Sequence, residues 1–166
     1  MELVLLRHAP AVERDPLRWP NDLERPLTAT GRRQSRRVAL TLRRLGWIPD
    51  LVLTSRAVRT RETALGVVEG MRLGPDALKV SDALRPGGAF ESVRAAVGGA
   101  AVARLLLVGH EPDLSIMAQG FLLQADDPSW DLALTKAGLI GLSLPETPDT
   151  GRPTLRFVVP ARLLWR

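Results

Sequence analysis

Three stretches of the chain are apolar without alternation: Glu2–Leu6 (ELVLL), Asp50–Thr54 (DLVLT) and Arg104–Val108 (RLLLV). Alternating residues mark a strand with one wet face, so unbroken runs of this length predict strands buried on both faces. Weaker strands are predicted at Leu78–Val80, Leu139–Leu144 and Thr154–Val159. The last two flank the turn-rich TPDTGRP and read as a hairpin-like pair at a sheet edge. Between the runs the apolar spacing becomes helical. Thr28 is placed to cap a helix through Arg32–Leu45, with Val38, Leu42 and Leu45 on one face and Gly46 at its stop. Further helices are predicted at about Ala57–Glu69 and Glu91–Val97, and from Pro112 to Leu123, where proline suits the first turn. Strands alternating with helices predict an α/β fold: a three-layer αβα sandwich with a mainly parallel central sheet and an antiparallel edge strand. The Pro/Gly clusters at 85–88 and 145–153 read as loops, leaving a single domain over residues 1–166.

Composition narrows the function classes. The chain of 166 residues has no cysteine, which excludes disulfides, thiolate nucleophiles and cysteine-ligated metals and fits a cytoplasmic setting. The apolar run at Leu3–Leu6 is too short for a signal peptide or a spanning helix, and no later segment is long enough to cross a bilayer. The net charge is +5, mostly from arginine, which suits a small anion such as phosphate as well as nucleic acid. Aromatic residues are only 4% and tyrosine is absent, a thin basis for base stacking, so no nucleic-acid partner is expected.

Candidate chemistry lies where the strong runs end. The first ends in Arg7-His8, the second in Thr54-Ser55 leading to Arg59, the third in Gly109-His110. In a parallel sheet these tips share one edge, the edge at which ligands bind. Both histidines of the chain then stand there beside two arginines, and the helix after His110 presents its N-terminus to the same place. Such an edge favours a dianion. A neutral imidazole can attack phosphorus and carry the phosphoryl group, while cations spread the charge of the transferring oxygens. The same cations disfavour imidazolium, and a backbone carbonyl on the other ring nitrogen would fix the tautomer.

Four segments in order resemble the histidine phosphatase (phosphoglycerate mutase-like) superfamily, and within it the small SixA-type phosphohistidine phosphatases: LLRHA, RPLTATGRRQS, LVLTSRAVRTRETA and LLLVGHEPDLS. The resemblance implies His8 as the phosphorylated nucleophile, Arg7 and Arg59 on the phosphoryl oxygens, and His110 completing the pocket. It places Arg25 at the phosphate or a neighbouring substrate group, and Ser55 in the turn before Arg59. Ala9 departs from the usual glycine, which matters only if the site needs a positive φ. The carboxylate that protonates an alcohol leaving group in larger members has no clear counterpart. Asp82 and Glu111 are the candidates.

These readings predict a metal-independent phosphatase without a cofactor, acting through phospho-His8, with phosphohistidine on a protein as the favoured substrate. The alternative is a small phosphomonoester, sugar or nucleotide-related, by the same chemistry. A non-catalytic phosphoprotein-binding module and a nucleic-acid binder are weaker alternatives. Two histidines without cysteine make a poor metal site, and no P-loop is present. Arg32, Arg33, Arg36, Arg37, Arg43 and Arg44 read most simply as a solvated helix face, with docking of an acidic phosphoprotein as the alternative. Arg61 and Lys136 read as exposed charges, Asp113 as a first-turn acid, and Trp19, Trp47, Trp130 and Trp165 as packing residues. The sequence leaves the oligomeric state open.

Overall fold

The computed structural model describes residues 1–123, 132–146 and 151–165. Strand β1 (Glu2–Arg7) is followed by helix α1 (Ala29–Arg44), β2 (Leu51–Thr54), α2 (Val58–Met71), β3 (Leu78–Val80), α3 (Phe90–Gly99), β4 (Arg104–Gly109), α4 (Asp113–Leu123), β5 (Leu139–Ser143) and β6 (Thr154–Val159). Short 3₁₀ turns at Asp22–Glu24, Pro75–Ala77, Asp82–Leu84 and Ala161–Trp165 lie in the connections, where the apolar pattern carries no sign of them.

The sheet order is β3-β2-β4-β1-β5-β6. The first four are parallel neighbours, and β5 runs against both β1 and β6. The strand of opposite direction therefore lies one place in from the edge, and β6 closes the edge as its hairpin partner. Part of the TPDTGRP connection lies outside the described residues.

Side chains alternate across the pleat and build two cores. Val4, Leu6, Val52, Leu106 and Val108 pack with Val38, Leu42, Val67 and Met71 of α1 and α2. Leu3, Leu5, Leu53, Leu105 and Leu107 pack on the other face with Val93, Val97, Leu114 and Met117 of α3 and α4. Covered faces on both sides are why the three strong strands read as unbroken apolar runs. Each fully buried leucine contributes about 1.5–3 kcal/mol through removal from water.

Helix α1 begins at Ala29, three residues before the first predicted turn, because Thr28 Oγ1 accepts from the Gly31 N–H at 3.0 Å and fixes the start. Its end is a complete Schellman motif. Gly46 has φ +70, its N–H reaches the Arg43 carbonyl, and the Trp47 N–H reaches that of Leu42. Leu45, expected on the buried face, is the C-cap and is exposed. Trp47 is buried in the core, whereas Trp19 lies in a loop with the Arg18 guanidinium 5.7 Å from its ring centre. Trp130 and the side chain of Trp165 fall outside the described residues.

The α1–α2 contact depends on small residues. A Cβ on Gly66 would stand 2.8 Å from Ser35 Cβ, and one on Gly70 2.7 Å from Ala39 Cβ. Gly66→Leu should therefore destabilise the protein by about 2–3 kcal/mol through overpacking. Urea unfolding measures this, and an unchanged midpoint would mean that the helices do not approach so closely.

Candidate active site

The strand register brings the three tips level. Arg7 pairs with Gly109, and Thr54 with Val108, so His8, Ser55 and His110 leave the sheet at one edge. The backbone there is held from both sides. His8 N–H donates to the Gly109 carbonyl at 3.0 Å, Arg7 N–H to that of Gly138 at 3.2 Å, and Ala137 N–H to the carbonyls of Arg7 and His8.

The two imidazoles are buried, with ring centres 5.4 Å apart and planes tilted by 59°. His8 Nδ1 lies 2.8 Å from the Ala9 carbonyl oxygen. A carbonyl only accepts, so Nδ1 carries the proton and Nε2 keeps its lone pair. Ala9 is held in turn by its N–H to Thr63 Oγ1 at 3.0 Å, and that hydroxyl donates to the Arg59 carbonyl at 2.7 Å. Ala9 is not among the residues with positive φ, so alanine in place of glycine costs no backbone strain.

The tautomer of His110 follows from a different chain of contacts. Arg59 Nη2 approaches His110 Nδ1 at 3.4 Å, and a guanidinium only donates. Nδ1 is thus the acceptor, and Nε2–H donates to Ser55 Oγ at 2.9 Å. Ser55 then donates to Thr60 Oγ1 at 2.7 Å, and Thr60 to the Ala57 carbonyl at 2.8 Å. Ser55 does shape the turn, accepting from Ala57 N–H at 3.4 Å, but it also orients the second histidine.

Arg59, in the first turn of α2, is buried. Its Nη1 donates to the Asp22 carbonyl at 2.8 Å, and its Nη2 lies 3.1 Å from the Asp22 carboxylate. Arg7 Nη1 donates to the Leu134 carbonyl at 2.5 Å. The Nε–H groups of Arg7 and Arg59 are both buried without a protein acceptor.

Burial dominates the electrostatics of both rings. It pushes His8 down to about 4, partly opposed by the Ala9 carbonyl and reinforced by the charges of Arg59, Arg7 and Lys136. It pushes His110 down to about 3, with Arg59 and His8 adding to the effect. Both imidazoles are therefore neutral at pH 7. Lys136 is exposed, yet its charge is felt at His8.

The remaining candidates are placed around this centre. Arg25 does not touch either histidine. Its Nε lies 2.7 Å from Asp22 Oδ1 and its Nη1 donates to the Val12 carbonyl at 2.6 Å. Asp22 thus bridges Arg25 and Arg59, and the hydrogen bond from Arg25 holds its carboxyl below the ordinary carboxylate range. Glu111 Oε1 accepts from Ser115 Oγ at 2.8 Å and from Leu134 N–H at 2.9 Å. It secures the residue whose carbonyl holds Arg7. Asp82 is a surface carboxylate in a bidentate pair with Arg56, which holds it low. Asp82 is thus engaged at the surface, whereas Glu111 borders the site through Leu134, and neither carboxylate is hydrogen-bonded to a histidine. Among the described residues no group of three His, Asp or Glu side chains is placed to hold a metal ion.

Sequence reasoning missed Asp22 and Leu134. Asp22 lies in a short turn with no apolar period, three residues before Arg25. Leu134 acts through its backbone, which a side-chain pattern does not reveal.

A fold with two level histidines and two arginines at the carboxyl ends of parallel strands defines a class, and residues 3–85 match the histidine phosphatase superfamily (branch 1). The chain belongs to that superfamily; His110 lies beyond the matched stretch and joins the site through β4. It is 36% identical over 145 residues to an uncharacterised protein of the cyanobacterium Picosynechococcus, covering 86% of this chain and 84% of that one. Its fold is similar to that of the protein histidine phosphatase SixA complexed with tungstate, with TM-score 0.82, 24% identity and 99% of each chain covered. It is similar also to a mycobacterial glucosyl-3-phosphoglycerate phosphatase, with TM-score 0.73, 17% identity, and 96% of this chain and 98% of that one covered.

The depressed histidines give a pH dependence of known sign. The folded protein resists protonation that the unfolded chain accepts near pH 6.5, so the stability from neutral imidazoles is complete above that value. It is lost as pH falls through 6.5 toward 4. Between pH 7 and 5 each histidine should cost roughly 2 kcal/mol of stability. Imidazole proton resonances of the free protein should show neither ring titrating above about pH 5. A midpoint near 6.5 for either would mean that it is solvated and not buried as described.

Proposed function

We propose that the protein is a phosphatase that carries the phosphoryl group on His8 Nε2 and acts on phosphohistidine in a protein. The observation that supports this best is the pairing of a fixed nucleophile with unspent donors. His8 has its lone pair on Nε2, and the nearby Arg7 and Arg59 each keep a buried Nε–H without a protein acceptor. Buried donors favour an acceptor at their tips, and phosphoryl oxygens supply several.

In the first step Nε2 attacks phosphorus and a new N–P bond forms as the substrate P–N bond breaks. The bonding electron pair leaves on the substrate imidazole, which takes a proton from solvent. The charge on the equatorial oxygens meets Arg7 and Arg59, with His110 held beside them by Ser55. The proton on His8 Nδ1 stays there, hydrogen-bonded to the Ala9 carbonyl, so phospho-His8 forms without a change of tautomer. Water then attacks its phosphorus, releases inorganic phosphate and restores neutral His8.

The leaving group decides between substrates. An alkoxide needs a proton donor at neutral pH, whereas an imidazole leaves phosphorus far more readily. Asp22 and Asp82 are held ionised by arginines, and Glu111 accepts two hydrogen bonds. The two aspartates are thus poor proton donors. The resemblance to SixA fits this reading. The likeness to a glucosyl-3-phosphoglycerate phosphatase favours a second one, a small phosphomonoester by the same two steps.

With a phosphohistidine protein and an aryl phosphate as substrates, His8→Ala should abolish turnover of both. Alkaline quenching should trap labelled phosphate on the wild type and not on the variant. Full activity in His8→Ala would overturn the mechanism. Arg59→Ala should lower kcat about a hundredfold with the fold intact. Turnover of the aryl phosphate alone would move the substrate to small monoesters.

A further inference from the structure

Helix α1 buries Gly31, Ser35, Val38, Ala39 and Leu42. Its opposite side carries Arg33, Arg36, Arg37, Leu40, Arg43 and Arg44, all exposed. Leu40 lies at the centre of this stripe. Arg36 and Arg37 precede it by one turn, Arg43 and Arg44 follow it by one turn, and Arg33 is aligned two turns back. It is 49% exposed, among the larger exposed apolar side chains of the protein.

A helix face that is merely solvated mixes signs, because Glu before Arg or Lys at i,i+4 stabilises and like charges at that spacing repel. Helix α1 has no acidic residue along its whole length. Arg32 and Arg36, and Arg33 and Arg37, repel at i,i+4, and the first two arginines sit near the positive end of the helix dipole. Off this face Arg25, Arg32, Arg56, Arg59, Arg94 and Arg104 are each paired with a carboxylate, while Arg14, Arg18, Arg61 and Arg72 are scattered single charges without one among the described residues. Among the described residues no carboxylate pairs with any of the five around Leu40. The face is uncompensated among those residues.

The face also starts at the site. Thr28 donates through both N–H and Oγ1 to the carbonyl of Pro10, two residues past His8, at 3.0 and 3.1 Å. From there the stripe runs along α1, with Leu40 about 17 Å from the first turn at a rise of about 1.5 Å per residue.

We infer that the exposed face of α1 is the docking surface for an acidic face of the phosphorylated protein, with Leu40 as its apolar anchor. The inference rests on the reading of a protein substrate given above. Arginines around an apolar centre are the composition of a protein interface core and rim. A nucleic-acid face needs cations over phosphates and has no use for a leucine at its middle. Basic residues around an acidic partner raise the association rate and make it depend on salt.

The test compares wild type, the triple variant Arg33→Ser/Arg37→Ser/Arg44→Ser, and Leu40→Ser. The substrates are an acidic histidine phosphotransfer domain phosphorylated with phosphoramidate, and an aryl phosphate. For the protein substrate, the triple variant should raise KM about tenfold and lose most of the salt dependence, and Leu40→Ser should raise KM with salt dependence kept. Both should leave aryl phosphate kinetics unchanged, which also shows that they fold. Wild-type KM for the protein in both variants would overturn the docking surface and leave the substrate reading standing. Turnover of the aryl phosphate alone by the wild type would overturn both. Two further results would reassign the face and overturn the inference: oligonucleotide binding lost in the triple variant, or a wild-type dimer that dissociates in Leu40→Ser.

Discussion

The parallel pairing of β1 with β4, with Arg7 opposite Gly109, is the constraint from which the site follows. It sets the two histidines side by side at the height where Ser55 leaves β2. The pairing is fixed from far outside the pocket. Leu3 and Leu5 fill the core under α3 and α4, while Val4 and Leu6 fill the core under α1 and α2. A slip by one residue would exchange these sets between cores of different shape and carry Arg7 and His8 to the wrong faces. The geometry of the reacting atoms is thus held by the packing of leucines that never approach them.

Burial then does two things at once. It makes imidazolium unfavourable, keeping both rings neutral, and it makes each guanidinium hard to leave without a counter-charge. Asp22 answers the second need. It reaches Arg59 from a turn in the long connection between β1 and α1, and Arg25 secures it from the other side. The arginine that would meet a phosphoryl oxygen is therefore already oriented, and the carboxylate that orients it stays ionised.

Much of this was legible in the sequence, for identifiable reasons. Strands buried on both faces leave unbroken apolar runs, and all six predicted strands lie within a residue or so of those observed. Thr28 and Gly46 marked the ends of α1 because capping is local chemistry. Arg7, His8, Arg59 and His110 were picked out because strand tips of a parallel sheet converge. What escaped was carried by backbone atoms or by irregular turns: the Leu134 carbonyl, the turn bearing Asp22, and the link from Ser55 to His110. Glu111 has a further part that its place beside His110 did not suggest: its Oε1 accepts from Leu134 N–H, a partner distant in sequence.

A pocket built of these residues would recognise a phosphoryl group and little else. In the proposed mechanism the two arginines would meet the same oxygens and His8 the same phosphorus whether the group arrives on a protein or on a small ester, so their contribution would be common to both. Discrimination must come from the leaving group or from surface outside the pocket. The first favours a substrate that leaves without a strong acid, since Asp22, the carboxylate against Arg59, is held ionised by arginine. The second favours a partner large enough to reach α1, whose arginines around Leu40 lack carboxylate partners among the described residues. The second preference takes the protein substrate as its premise and extends it from the chemistry of the broken bond to the charge of the helix that starts beside the site. A protein-borne phosphohistidine on an acidic surface would use both the pocket and the helix face, whereas a small phosphomonoester would use the pocket alone.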